Sequence, residues 1–227
     1  MSTHNNRVVV ITGATGGLGQ IAARAFAEQG ASLALLSTDQ DKLDSLVRDL
    51  NLPSARILTH AVNLLDADAV RAAAEAVSAK FGRVDALIHL VGGWTGGKTI
   101  AESDTDEFKF MLDQHAWTSI HLIQAFSPKL AANGWGRVIA VTSPLATKPS
   151  AKMGPYAVGK AAQETLLMTL ADEFAGTEVT ANAIQVKAID MKNTGKGTSP
   201  QEIIAAMLYL FSDEAGKVNG ARIPLYD

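Results

Sequence analysis

The sequence has no cysteine among its 227 residues. Disulfide bonds, thiolate zinc sites and cysteine nucleophiles are therefore excluded, and the redox compartment stays open. Charged residues make up only 19% of the chain, and the formal net charge is −3. A weakly acidic chain lacks the basic surface that nucleic-acid binding requires, so we expect no nucleic-acid partner.

Long apolar runs and clustered metal ligands are also missing. No run reaches the length of a membrane span, and residues 1–7 are polar with no apolar signal segment behind them. The five histidines are scattered, and His115 and His121 are six positions apart, which does not place them on one helix face. We expect a cytoplasmic protein with no membrane partner and no metal site.

Apolar residues make up 47% of the chain, enough for the core of one domain. Residues 1–6 read as a frayed tail. The predicted strands are 8–11, 32–36, 56–62, 85–91, 136–142, 178–186 and 221–225. The predicted helices are 20–29, 39–50, 66–81 with Asp66 as N-cap, 103–130, 155–174 and 200–211. This alternation predicts a single-domain α/β fold, a doubly wound parallel sheet of about seven strands with helices on both faces.

Three glycines separate the first strand from the first helix. Gly13 permits a sharp turn, Gly17 lets a pyrophosphate approach the backbone, and Gly19 lets the helix pack close to the strand. The unpaired N–H groups at a helix N-terminus favour an anion. The segment predicts a dinucleotide-binding turn; the alternative is a structural turn that binds nothing.

A second group of chemically capable residues surrounds the fifth strand. Ser143 follows that strand directly, and Tyr156 and Lys160 lie four apart early on the next helix, so they share a face. A tyrosine hydroxyl has an ordinary pKa near 10, and a neighbouring ammonium lowers it. We therefore predict Tyr156 as proton donor or acceptor, Ser143 as a hydrogen-bond donor to the reacting oxygen, and Lys160 as the group that tunes Tyr156.

Together these features resemble the short-chain dehydrogenase/reductase family over almost the whole chain. The resemblance is carried by Thr12-Gly13-x-x-x-Gly17-x-Gly19, by Tyr156-x-x-x-Lys160, by Ser143 and by Asn182 on the sixth strand. It implies a nicotinamide cofactor, NADP or NAD, a ribose contact from Lys160, and hydride transfer to or from a small carbonyl or alcohol substrate. It also implies a homodimer or homotetramer formed through helices 103–130 and 155–174, where Ala157, Ala161 and Ala162 permit close packing.

The chain departs from the family pattern at several positions. His89-Leu90-Val91-Gly92 replaces Asn-Asn-Ala-Gly after the fourth strand, and Val186-Lys187 replaces Pro-Gly after the sixth. His115 stands where the family has a catalytic asparagine, so it either relays protons or only fills the space. Met191 replaces a threonine that contacts the nicotinamide carboxamide. Only residues 192–199 stand in place of the substrate lid, which implies an open pocket.

Cofactor choice depends on the end of the second strand. Ser37 occupies the place of the acid that binds the ribose of NAD, and Thr38 stands where NADP-preferring members often carry arginine. Asp39 is interpreted as a helix cap rather than a ribose ligand. This favours NADP over NAD. The candidate cofactor-binding residues are Gly13, Thr15, Gly17, Leu18, Gly19, Ser37, Thr38, Asn63, Leu64, Val91, Gly92, Gly93, Tyr156, Lys160 and Ile189.

Two other functions remain open. The run from Gly92 to Gly97 around Trp94, with Trp117-Thr118-Ser119, is similar to the quinonoid dihydropteridine reductases, and Trp94 is placed to stack on a flat bicyclic substrate. The same loop equally suits packing. The altered His115 and the short lid also suit a nucleotide-binding regulator with weakened catalysis. Ser143, Tyr156, Lys160 and His115 are the candidate catalytic residues.

Overall fold

The computed structural model describes residues 7–226, and in it strands and helices alternate along the chain. The predicted tail at residues 1–6 lies outside the described residues. The strands are β1 (Val8–Thr12), β2 (Ser32–Ser37), β3 (Ile57–Ala61), β4 (Ala86–His89), β5 (Gly136–Thr142), β6 (Val179–Gln185) and β7 (Arg222–Pro224). The helices are α1 (Gly17–Glu28), α2 (Gln40–Leu50), α3 (Ala67–Phe81), α4 (Thr105–Leu112), α5 (Thr118–Asn133), α6 (Gly154–Glu173) and α7 (Pro200–Phe211).

The seven strands form one parallel sheet in the order β3-β2-β1-β4-β5-β6-β7. The strand order reverses beside β1, which lies between β2 and β4. In such sheets the connections leave in opposite directions at that point and open a crevice beyond the carboxyl ends of the strands. The predicted fold class is confirmed.

Two apolar cores flank the sheet, and β1 contributes side chains to both of them. Val8 and Val10 pack into one core with α3, α5 and α6, whereas Val9 and Ile11 pack into the other with α1, α2 and α7. Successive side chains of a strand point to opposite faces, so a continuous apolar strand supplies both cores. The carboxyl end of β1 is thereby fixed at the centre of the sheet.

The predicted helix 103–130 is wrong as one continuous element. The segment divides into α4 and α5, with a π-helical turn at Asp113–Trp117 between them. Thr118 N bonds to the Asp113 carbonyl across this wider turn. A π turn rotates the residues that follow it relative to those before it. His115 lies within this turn and is buried.

Local capping follows the sequence closely. Asp39 accepts a hydrogen bond from Lys42 N at 3.0 Å, and Asp66 accepts from Asp68 N and Ala69 N at the start of α3. Both predicted caps are confirmed. Within residues 7–226 no helix is long and apolar enough to cross a bilayer. The same residues hold no group of three or more His, Asp or Glu side chains arranged to bind a metal.

Candidate active site

The glycine turn joins β1 to α1 at the sheet centre. Gly13 has a φ of +67°, a conformation that favours glycine. A Cβ on Gly19 would lie 2.2 Å from the Gly13 carbonyl oxygen, so only glycine lets the helix pack this close. No side chain caps the N-terminus of α1. Its first N–H groups are therefore available to an anion.

A cleft of two adjoining parts opens above this turn. One part, of about 450 Å³, extends from the glycine turn to Tyr156, Lys160 and Ile189. The other, of about 360 Å³, extends from the turn to the end of β2 and to Asn63 and Leu64. The fifteen candidate cofactor-binding residues all line one part or the other. The fold therefore brings together residues that are up to 176 positions apart (13 to 189) in the chain.

Tyr156 lines the first part of the cleft, and Ser143 lies close to it. Ser143 follows β5 directly, is buried, and its Oγ accepts a hydrogen bond from Leu145 N at 3.3 Å. Burial raises the pKa of Tyr156, and the nearby Ser143 side chain only partly offsets this. The predicted lowering of the Tyr156 pKa by Lys160 is therefore wrong in this structure.

Lys160 has different partners from those expected. Its Nζ donates to the Val141 carbonyl at 3.0 Å and to Gln163 Oε1 at 2.9 Å. The residue is 6% exposed, and burial lowers the pKa of Lys160 to about 7, against an opposing effect of the Glu164 carboxylate. Lys160 nevertheless lines the cleft beside Tyr156, as predicted.

His115 reaches the site from the π-helical turn. Its ring meets the Tyr156 ring edge to face, with the centroids 5.7 Å apart. Nε2 lies 3.0 Å from the Gly93 carbonyl oxygen, which can only accept, so Nε2 carries the hydrogen. Burial and the nearby Lys160 lower the pKa of His115 to about 3. The imidazole is therefore neutral at physiological pH, and its role as a relay stays a prediction.

Gly92 and Gly159 make room for this imidazole. A Cβ on Gly92 would lie 2.7 Å from His115 Cε1, and one on Gly159 would lie 3.0 Å from His115 Cδ2. The first distance is shorter than real Cβ atoms show, and the second is tighter than most real Cβ contacts. The ring is thus clamped between the loop after β4 and α6, which fixes its position relative to Tyr156.

The second part of the cleft ends at hydroxyl groups. Thr15 Oγ1 and Ser37 Oγ lie 2.6 Å apart. The Asp39 carboxylate faces α2, where it caps Lys42 N and pairs with Lys42 Nζ at 2.9 Å. The interpretation of Asp39 as a cap is confirmed, and its carboxylate is not directed to the end of β2 as a ribose ligand would be.

The loop after β6 bends back over the glycine turn. Asp190 accepts hydrogen bonds from Gly195 N at 2.6 Å and Thr194 Oγ1 at 3.1 Å, which close the loop on itself. The Met191 side chain packs on Gly17, since a Cβ there would lie 2.6 Å from Met191 Cε. The pocket expected to be open is therefore narrowed at this point. Trp94 also lines the first part of the cleft and is 63% exposed.

Sequence reasoning missed a polar cluster behind the site. Glu164 is buried and accepts from Thr142 Oγ1 at 2.6 Å, from Gln185 Nε2 at 2.8 Å and from Arg222 Nε at 2.7 Å. It thereby joins α6 to β5, β6 and β7. Gln163 and Glu164 follow Lys160 at helical spacings of three and four. That spacing is the one signal that could have placed them near the lysine.

Known proteins share the sequence pattern and the fold of this chain. Residues 7–202 match the model of the short chain dehydrogenase family. A D-threitol dehydrogenase of Mycolicibacterium smegmatis is 28% identical, over 96% of this chain and 90% of that protein. The structure of a putative short chain dehydrogenase from Pseudomonas syringae has a TM-score of 0.90 at 29% identity, covering 98% of this chain and 96% of that one. An NAD+-bound xylitol dehydrogenase has a TM-score of 0.86 at 21% identity, with 98% of each chain covered.

Proposed function

The chain belongs to the short chain dehydrogenase family, and we propose that it is an NAD(P)-dependent oxidoreductase that moves hydride between nicotinamide and a carbonyl or alcohol. One observation carries this proposal. Tyr156 and Lys160 line a cleft that continues to the uncapped N-terminus of α1, and the Ser143 side chain lies close enough to Tyr156 to affect its pKa.

The cleft fits a dinucleotide. Its two parts meet at Gly13, Gly16 and Gly92, so a ligand with two arms and a central pyrophosphate matches its shape. The glycines of the turn have no Cβ atoms, and the α1 N–H groups favour a negative charge. The flexible Met191 side chain, which packs on Gly17 here, moves aside when a pyrophosphate binds. A bound nicotinamide nucleotide supplies hydride in reduction and accepts it in oxidation.

Tyr156 is the proposed acid and base. Burial raises its pKa, so the hydroxyl is a weaker acid than a free phenol, but it carries at neutral pH the proton that reduction requires. In carbonyl reduction the substrate carbon gains hydride, and its oxygen takes the Tyr156 proton to give the alcohol. Ser143 steadies that oxygen by a hydrogen bond as negative charge develops on it. Lys160 binds the nucleotide ribose.

The end of β2 supports NADP as the preferred cofactor. Ser37 and Thr38 line this part of the cleft, and the neighbouring acid, Asp39, is bound to α2. A 2′-phosphate there meets hydroxyl groups rather than a free carboxylate. Both cofactors therefore bind, and NADP binds more tightly.

A copy-to-copy contact through α5 and α6 is also proposed. These helices leave a groove between them that includes Ile120, Ile123 and Leu166. Apolar residues in such a groove suit burial against a second copy of the chain, as a homodimer or homotetramer. We propose a cytoplasmic location on the basis of the same family membership.

The proposal is tested with purified protein, NADH and NADPH, and a panel of substrates. The panel contains aliphatic ketones, aldehydes, polyol oxidation products and a quinonoid dihydropterin. Oxidation of the reduced nicotinamide, followed by its absorbance, is the expected result with at least one carbonyl. Cofactor binding without turnover of any compound would instead support a nucleotide-binding regulator, and no cofactor binding would refute the proposal.

A further inference from the structure

The ammonium of Lys160 is held from behind by two neutral acceptors. A lysine ammonium has three N–H donors. Two of them bond to the Val141 carbonyl on β5 and to Gln163 Oε1 on α6, at 3.0 and 2.9 Å. Because the three donors are arranged tetrahedrally, two fixed bonds determine the direction of the third. Lys160 lines the cleft, so in its charged form it has a third donor that can bond to a ligand there.

The amide of Gln163 is itself fixed. Its Nε2 donates to Ser119 Oγ at 3.3 Å, and Ser119 Oγ donates to the His115 carbonyl at 2.6 Å. Gln163 and Ser119 are 2% and 5% exposed, so water does not compete for these bonds. Only one orientation of the amide lets its oxygen accept from the lysine while its nitrogen donates to the serine. The chain of bonds joins Lys160 to the π-helical turn that carries His115.

Packing around the Gln163 side chain is incomplete on one side. A small cavity of about 10 Å³ lies beside Gln163 and Ser119. Its other lining side chains are mostly apolar. A leucine at position 163 is close to glutamine in size and meets apolar neighbours there. The amide is therefore required for its hydrogen bonds more than for its volume.

We propose that Gln163 is a positioning residue that fixes the Lys160 ammonium so that one N–H points into the cofactor cleft. The inference deepens the proposed function, on which it rests for the identity of the ligand. Gln163 does not itself line the cleft, so it acts only through Lys160.

The charged and titratable groups around Lys160 come from three elements. Glu164 and Tyr156 lie on α6, His115 on the π-helical turn, and His89 at the end of β4. Both imidazoles are neutral near pH 7 because burial lowers the pKa of each to about 3. Glu164 favours the charged ammonium from a distance, whereas Gln163 is its direct side-chain acceptor.

The direct test is the titration of Lys160 by NMR in protein labelled with carbon-13 at lysine Cε, with no cofactor added. The Lys160 signal is identified by its absence in Lys160→Met. In Gln163→Leu the ammonium loses an acceptor, so we expect the signal to titrate at lower pH than in the wild type. In Gln163→Glu a carboxylate replaces the amide oxygen, so it should titrate at higher pH. Gln40→Leu, at an exposed position on α2, should leave the titration unchanged.

Shifts of the Lys160 titration midpoint in opposite directions in the two variants support the proposal. A loss of packing would shift the midpoint in the same direction in both. An unchanged midpoint in both, or a shift of the same sign in both, overturns it. Thermal unfolding of each variant checks that it is folded. In a second arm, NADPH binding by Gln163→Leu should weaken about fivefold, the value of one hydrogen bond. The titration needs no turnover, so it separates a failure of this inference from a failure of the proposed oxidoreductase function.

Discussion

At the residue scale, burial sets the charge of each group that surrounds the reacting centre. The pKa of Tyr156 is raised, that of His115 is lowered to about 3, and that of Lys160 is lowered to about 7. At neutral pH the phenol is protonated, the imidazole is neutral and the ammonium is partly deprotonated. A protonated phenol carries the proton that a carbonyl oxygen takes up in the proposed reduction.

The Ser37 side chain is expected to decide cofactor preference. In Ser37→Asp a carboxylate stands at the end of β2, where it accepts bonds from ribose hydroxyls and repels a 2′-phosphate. The ratio of the NADPH to the NADH dissociation constant should rise at least about tenfold, which corresponds to about 1.4 kcal/mol. Nucleotide fluorescence on titration with protein measures both constants.

Ser37→Asn is the matched control, since it has nearly the same size as the aspartate without the charge. It should leave the ratio within about threefold of the wild type, because that change is only about 0.65 kcal/mol. An equal change in both variants would show that size, and not charge, matters at this position.

The sequence predicted Ser143, Tyr156 and Lys160 because their spacing is local and their types are chemically specific. It did not predict the partners of Lys160. Those depend on which way a long side chain turns after α6 has packed against β5, and on a serine that lies 44 positions (119 to 163) from the glutamine it contacts. Tertiary packing of this kind leaves no pattern in a single sequence.

At the scale of elements, α6 carries the site and packs closely on α4. The contact occurs at Gly159, where a Cβ would lie 2.7 Å from the Met111 carbonyl oxygen. A backbone atom cannot swing aside as a side-chain tip can. The glycine is therefore required for the two helices to approach and for Tyr156 to lie beside His115.

Gly159→Ala should destabilise the protein although alanine favours a helix. The gain in helix propensity is about 1 kcal/mol, and the clash must separate α6 from α4. We expect a net loss of about 1–3 kcal/mol in the free energy of unfolding, measured by urea denaturation. Val158→Ala, on the exposed side of the same helix, should change the stability by less than about 0.5 kcal/mol. Equal effects of the two substitutions would contradict the packing argument.

The elements themselves could be predicted because apolar periodicity and capping residues mark them. The ranges of β5 and α7 agree at both ends with those read from the sequence, whereas β4 ends at His89 and not at residue 91. The π-helical turn at Asp113–Trp117 escaped prediction, since a wider turn within a helix hardly alters the apolar pattern. It is nevertheless the turn that carries His115 into the site.

At the scale of the whole molecule, two buried histidines couple folding to pH. His89 is 3% exposed and its Nδ1 lies 2.8 Å from Thr12 Oγ1. Burial is the largest of the causes that lower its pKa from 6.5 to about 3. Above pH 6.5 the imidazole is neutral in both states. As the pH falls from 6.5 towards 3, the unfolded chain binds a proton that the folded protein does not, so this contribution to stability is lost.

Each such histidine lowers the free energy of unfolding by about 1.4 kcal/mol per pH unit in that range. His89→Asn removes one titrating group and keeps a side chain that can bond to Thr12. The slope of unfolding free energy against pH between about 6 and 4 should therefore fall by close to one proton. Urea denaturation at a series of pH values gives this slope. An unchanged slope would show that His89 is protonated in the folded state.

The proposed chemistry depends on the Tyr156 hydroxyl, and Tyr156→Phe tests it most directly because it removes one oxygen atom. The variant should bind NADPH with a dissociation constant close to that of the wild type. Its rate of nicotinamide oxidation with a substrate of the wild type should fall by a factor of about 100–10,000, the usual contribution of a positioned acid. Undiminished turnover with normal cofactor binding would contradict the account.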